Sequence, residues 1–189
     1  MTNGLERRAA ASLVHPAPGK LAGYAAVYGA WSSDLGGFAE RVAPGAFDAS
    51  LAAPRDILAL WDHRERHVLG RVGAGTLRLG SDAIGLSFEL DLPDTTAGRD
   101  LAVLVSRRDV AGASFAFRVQ PGGERWSFDD GKVRRTLTDV ALAEITVTAQ
   151  PAYGETSVAL RSLQQQRRWL EQAAGVLAML EARAQRWRA

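Results

Sequence analysis

The chain has 189 residues, 47% of them hydrophobic, and its 23 basic and 21 acidic side chains give a formal net charge of +2. This length suits one domain with an appendage, and the hydrophobic content is enough for a sizeable core. The absence of cysteine excludes disulfide frameworks, thiol nucleophiles and cysteine-ligated zinc. No segment has the roughly 20 consecutive apolar residues of a membrane span. We therefore expect neither a membrane nor a nucleic-acid partner.

Composition divides the chain into three parts. Residues 1–18 predict a flexible leader, since they begin polar and end in a proline-rich run. Residues 19–161 carry many short apolar segments and predict a compact body. Residues 162–189 carry five of the 23 basic side chains and predict an amphipathic helix, since apolar residues recur every seven positions. We expect this helix to bind a scaffold or a second copy of the chain.

Short segments of alternating hydrophobicity predict that the body is mainly β, of the α+β class. In chain order, the expected strands span residues 21–28, 38–42, 57–61, 68–72, 75–79, 85–92, 112–119, 126–128, 133–137 and 140–147. Residues 75–92 and 126–137 are each expected to form a hairpin. A short helix is expected up to residue 51, and a second from Thr95 or Thr96 to about Ser106.

A serine and a histidine at two of these strands indicate nucleophilic chemistry. Ser114 alternates with Phe115 and Phe117, so it faces away from the core if the phenylalanines face it. His63 directly follows the apolar strand 57–61. A serine activated by a histidine base is the minimum for acyl transfer, provided that the fold brings the two within about 3 Å. The alternative is that both are ordinary surface residues.

A third group would be needed to orient the imidazole, and three residues are candidates. Glu144 lies in the otherwise apolar strand 140–147, where an ionised carboxylate is unusual. Alternation places it on one face with Leu142 and Thr146. His67 and Asp62 are the other candidates, although a direct neighbour such as Asp62 usually points away from His63.

Two further sites are weaker alternatives. His63 and His67 are four residues apart and could share a metal ion on a helix, but two arginines lie between them, and we expect no metal site and no cofactor. Arg134 and Arg135 could help to stabilise an oxyanion, although a solvated pair on a hairpin strand is the simpler interpretation.

The order of these pieces resembles the prohead proteases, or head maturation proteases, of tailed phages and gene transfer agents. The resemblance covers about residues 21–161. It depends on eight short motifs at residues 23–28, 40–47, 61–63, 69–71, 85–86, 113–117, 142–147 and 151–153. The sequence departs from the family pattern at Asp62 and Arg64, which flank the histidine, and at Ala116, where glycine is common.

The resemblance implies an assemblin-like β-barrel with flanking short helices, spanning residues 19–161, and a serine endopeptidase activity. By position, Ser114 would be the nucleophile, His63 the general base and Glu144 the third member. Such enzymes act in the host cytoplasm inside the assembling prohead, where they remove the scaffold segment of the major capsid protein and often cleave themselves. Self-association is also expected. The rival hypothesis is a non-catalytic capsid-assembly or scaffold-binding protein.

Overall fold

A computed structural model describes residues 4–10, 13–17, 19–52, 56–129 and 131–149. The helix expected at 162–189 lies outside these residues. The strands are β1 (Glu6–Ala10), β2 (Leu13–Ala17), β3 (Lys20–Val27), β4 (Phe38–Val42), β5 (Leu58–Trp61), β6 (Arg64–Arg71), β7 (Leu77–Ser81), β8 (Gly85–Asp91), β9 (Gly112–Val119), β10 (Glu124–Asp129), β11 (Lys132–Leu137) and β12 (Val140–Thr148). The helices are α1 (Asp48–Ala52) and α2 (Thr96–Ser106). The mainly β class is therefore confirmed.

The described strands form three hydrogen-bonded sheets, so the expectation of a closed barrel is wrong for this part of the chain. The sheets have the strand orders β1-β9-β12-β5-β6, β2-β3-β8-β7 and β10-β11-β4. The first sheet does not continue from β6 into β7, because the chain turns at residues 72–75 and β7 pairs with β8 instead. The sheets enclose a common apolar core without joining into one cylinder.

The first strand lies where the sequence predicts a flexible leader. β1 pairs antiparallel with β9, and β2 pairs antiparallel with β3. The sequence signal is missing because the buried residues of β1 are charged: Glu6 and Arg8 form ion pairs with the buried Glu40 and Arg135. A search for alternating apolar residues cannot detect such a strand. The domain boundaries at residues 18 and 161 stay predictions.

The core positions β9 through its aromatic side chains. The rings of Phe115 and Phe117 are stacked with centroids 5.2 Å apart, and Phe47 meets Phe115 edge-on at 5.4 Å. Alternation then directs Ser114 to the opposite face of the sheet, as the sequence predicts. That face is also covered, because Ser114 is 0% exposed.

The second helix follows the predicted bounds closely. The side chain of Thr95 caps α2 by accepting a hydrogen bond from the Gly98 amide at 3.2 Å. Leu101 and Val105 are buried against the core, as the helical spacing predicts. In the part of the chain that the structure describes, no helix is both long and apolar enough to cross a membrane.

Candidate active site

His63 lies in a two-residue turn that connects β5 to β6. Trp61 pairs with Arg64 across this turn, and its central residues Asp62 and His63 have φ angles of 52° and 56°. Hairpin turns with two left-handed residues strongly favour sequences such as Asn-Gly, because a Cβ atom disfavours this conformation. Backbone strain of this kind is often found at functional sites.

Hydrogen bonds to β12 hold the turn in this conformation. The His63 amide donates to Thr146 Oγ1 at 2.9 Å, and Thr146 Oγ1 donates to the Leu60 carbonyl at 3.0 Å. The Asp62 amide donates to the Val147 carbonyl at 3.1 Å. Thr146 thus connects the strand before the turn with the backbone of the histidine itself.

A β-bulge in β12 directs Glu144 to the face that carries Ser114. The pairing with β9 shifts from Leu142 opposite Phe117 to Glu144 opposite Ala116, so Ala143 is the extra residue. Leu142 therefore packs in the core, whereas Glu144 and Thr146 lie on the other face. The prediction that Leu142 shares a face with Glu144 is wrong, because strict alternation does not hold across a bulge.

The serine, the histidine and the glutamate form one hydrogen-bonded chain. Ser114 Oγ lies 3.0 Å from His63 Nε2, and His63 Nδ1 lies 2.5 Å from Glu144 Oε1. The side chains of His63 and Glu144 are 16% and 10% exposed, so water only partly screens their interaction. A hydroxyl, an imidazole and a carboxylate in this order and spacing can generate a serine nucleophile.

A family model for the caudovirus prohead serine protease matches residues 8–168, which is most of the chain. The chain belongs to this family. The resemblance inferred from the short motifs is therefore confirmed, and the family is one of serine proteases that act in the assembling phage head. No curated protein and no solved structure matches the chain significantly.

Neither of the other two candidates for the third position in this prohead protease has a hydrogen bond to the imidazole, whose described partners are Glu144 and Ser114. The ring of His67 lies against Trp61, with centroids 5.9 Å apart, and Asp62 is exposed. Among the described residues, no group of three or more histidine, cysteine or acidic side chains could hold a metal ion.

Arg134 and Arg135 have separate surroundings. Arg134 lies over the ring of Trp31, at 4.7 Å from its centroid. Arg135 is buried and forms ion pairs with Glu6, Glu40 and Glu124. Its charge is therefore engaged by carboxylates, which leaves the interpretation as an oxyanion group without structural support.

Two features of the site carry no sequence signal of their own. One is the contact of Ser114 with β1, where the hydroxyl donates to the carbonyl of Arg8 at 2.6 Å. The other is the hydrogen bond from the His63 amide to Thr146 Oγ1, because strand alternation predicts only that Thr146 shares a face with Glu144. Backbone acceptors and tertiary hydrogen bonds depend on the fold, so spacing alone cannot indicate them.

Replacing Thr146 by valine is expected to slow the reaction of Ser114 with an organophosphorus probe by about 10- to 100-fold. The His63 amide would lose its acceptor, and small misplacements of a catalytic group have effects of this size. Thr146→Ser keeps the hydroxyl and should react within about threefold of the wild-type rate. Mass spectrometry of the adduct over time gives both rates, and equal rates for the two variants would contradict the positioning role.

Proposed function

We propose that the protein is a serine endopeptidase of head maturation, in which Ser114 is the nucleophile, His63 the general base and Glu144 the group that orients His63. The observation that carries this proposal is the chain of contacts from Ser114 Oγ through both ring nitrogens of His63 to Glu144. The membership of the prohead serine protease family supports the serine protease activity in this proposal.

In this mechanism His63 Nε2 removes the Ser114 proton as Oγ attacks the carbonyl carbon of the scissile peptide bond. The histidine then donates that proton to the leaving amine, and an acyl-enzyme forms. A water molecule, activated by the same nitrogen, releases the acid product and regenerates the serine. Glu144 holds the Nδ1 proton and stabilises the imidazolium that forms in each step. Backbone amides near Ser114 would stabilise the oxyanion.

The substrate in this proposal is the major capsid protein, from which the enzyme removes the scaffold segment inside the assembling prohead. The protein would also cleave itself and associate with further copies. The proposal covers a phage or a gene transfer agent, because the resemblance to prohead proteases includes both. A phage prohead assembles in the host cytoplasm, which is where the enzyme would act.

The test is the intact mass of the major capsid protein over time in the presence of the full chain. We expect fragments to appear, an organophosphorus probe to prevent them, and the adduct to map to the peptide that contains Ser114. The variant Ser127→Ala, which removes an exposed serine of β10 outside the site, is the control and should cleave the capsid protein like the wild type. An uncleaved capsid protein that nevertheless assembles faster would reject the proposal and favour the assembly-factor hypothesis.

Replacing Glu144 by glutamine is expected to lower kcat by about 10²- to 10⁴-fold. The amide keeps the shape of the carboxylate but cannot stabilise the imidazolium, and it favours the wrong tautomer. His67→Gln is the matched control, because His67 contacts Trp61 and not the catalytic histidine. Steady-state kinetics on a peptide with the cleavage site would measure both variants, and a larger loss for His67→Gln would assign the third position to His67.

A further inference from the structure

The nucleophile of the proposed reaction is closed off by β1. Ser114 is 0% exposed, and its hydroxyl donates to the Arg8 carbonyl at 2.6 Å. The register places Ala9 directly opposite Ser114 and Arg7 opposite Ala116. A serine in this state cannot reach the carbonyl of another chain, so β1 must leave before a substrate enters.

The contact with β1 also competes for the proton on which the mechanism depends. The Ser114 hydroxyl has one proton, and a carbonyl oxygen can only accept. When Oγ donates to Arg8, His63 Nε2 must be the donor to Oγ and cannot act as the base. Arg7 Nε lies 3.9 Å from Glu144 Oε1, which adds a positive charge beside the carboxylate. β1 thus opposes catalysis in three ways: it binds the serine proton, it makes the histidine a donor, and it places a positive charge beside the glutamate.

β1 holds the position that an extended peptide would take. It is the terminal strand of the five-stranded sheet and pairs only with β9 within that sheet. Without β1, the edge of β9 would present unpaired amides and carbonyls beside Ser114. An edge of this kind binds an extended peptide by adding it as a further strand.

Two side chains of β1 occupy a buried, charged pocket under this edge. Arg8 contacts both carboxylate oxygens of Glu40, at 2.5 Å from Nε and 2.9 Å from Nη2. Glu6 contacts Arg135 through both of its oxygens, at 2.6 and 2.9 Å. These four residues are at most 6% exposed, so each charge depends on its partners. The pocket therefore matches one acidic and one basic residue, two positions apart.

We propose that the edge of β9 is the peptide-binding site, that its preferred ligand is an extended peptide with an acidic and a basic residue at alternate positions, and that β1 is an internal ligand that keeps Ser114 unreactive. The basic residue would bind Glu40 and present its carbonyl to Ser114. The acidic residue, two positions earlier, would bind Arg135. The effect on reactivity depends on the proposed function, whereas the binding of a peptide does not.

The first test measures reactivity with β1 fixed or free, in the full chain. Since the sequence has no cysteine, the double variant Arg7→Cys/Ala116→Cys would allow one disulfide between paired positions of β1 and β9. We expect the oxidised form to react with an organophosphorus probe at least about tenfold more slowly than the reduced form, because only the open fraction reacts. Equal, measurable rates would overturn the inhibitory role of β1.

The second test weakens β1 without a crosslink. The double variant Glu6→Gln/Arg8→Gln removes both charges and should react at least about tenfold faster than the wild type. Arg78→Gln is the matched control, because it removes an exposed arginine that pairs with Asp91 on the second sheet. A faster reaction of Arg78→Gln by the same factor would assign the effect to general destabilisation and overturn the proposal.

The third test measures peptide binding independently of catalysis. In the full chain with Glu6→Gln, Arg8→Gln and Ser114→Ala, a labelled peptide with the sequence of residues 4–10 should bind in fluorescence anisotropy. A peptide of the same composition with its acidic residue moved behind both arginines should bind at least about tenfold more weakly. Equal binding of the two peptides, or binding of neither, would overturn the specificity. If no form of the chain reacts with the probe, the proposed function fails, and this measurement alone decides the binding site.

Discussion

Replacing Ser114 by alanine is expected to lower kcat/KM for cleavage of the capsid protein by about 10³-fold or more. The variant lacks the oxygen that forms the acyl-enzyme. Its residual catalysis would come only from the oxyanion donors and from substrate binding. The alanine should leave the fold intact, because β9 already carries buried alanines around Ser114. Ala113 precedes it in sequence, and Ala116 lies on the same face of the strand. Intact-mass kinetics at equal enzyme concentration would measure the loss.

The same experiment with His63 distinguishes a cooperating unit from two independent contributions. His63→Ala should be impaired about as strongly as Ser114→Ala, and the double variant should be no worse than either, because each residue acts only through the other. Ser127→Ala serves again as the unaffected control. Losses that multiply in the double variant would contradict a shared nucleophilic mechanism.

Replacing Arg135 by methionine is expected to lower the free energy of unfolding by about 3–5 kcal/mol, which is the usual effect of leaving a buried charge without its partner. Arg135 is 1% exposed and lies among Glu6, Glu40 and Glu124. Burial lowers the pKa of its guanidinium, but the hydrogen bonds and charges of these carboxylates outweigh that effect and raise the pKa above its ordinary value. The arginine is therefore charged at any working pH.

Urea denaturation of the full chain would measure this change. Arg134→Met is the matched control, since it removes the neighbouring arginine, which faces Trp31 on the other side of β11. We expect the control to lose at most about 1 kcal/mol, the size of an exposed cation–π contact. A loss of at most about 1 kcal/mol for Arg135→Met as well would show that the buried ion pairs add little to the stability of the fold.

The sequence was sufficient to predict the helices and strands in which apolar side chains recur with a regular helical or strand period. The helix α2 and the strand β8 were predictable, because Thr95 caps the helix and apolar residues alternate in the strand. Ser114, His63 and Glu144 could be selected as candidates because their residue types are unusual in their surroundings. Their distances could not be predicted, since they depend on how β9, β12 and the β5–β6 turn are arranged.

The features that the sequence did not predict have identifiable physical causes. The bulge at Ala143 leaves no signal in a run of apolar residues, yet it turns Glu144 toward Ser114. β1 is stabilised by buried charges and not by apolar side chains, so its sequence is typical of a flexible segment. The barrel was implied by resemblance alone, and pairing between distant strands cannot be read from local patterns.

The left-handed turn that carries His63 sets a conflict between two kinds of selection. A glycine at that position would adopt the φ angle of 56° without steric strain, but it would remove the imidazole. Variants chosen for stability alone would therefore tend to lose the histidine, whereas selection for cleavage retains it together with its strain. Consensus or thermostability engineering of this protein should for that reason keep residues 62 and 63 fixed and seek its gains on other strands.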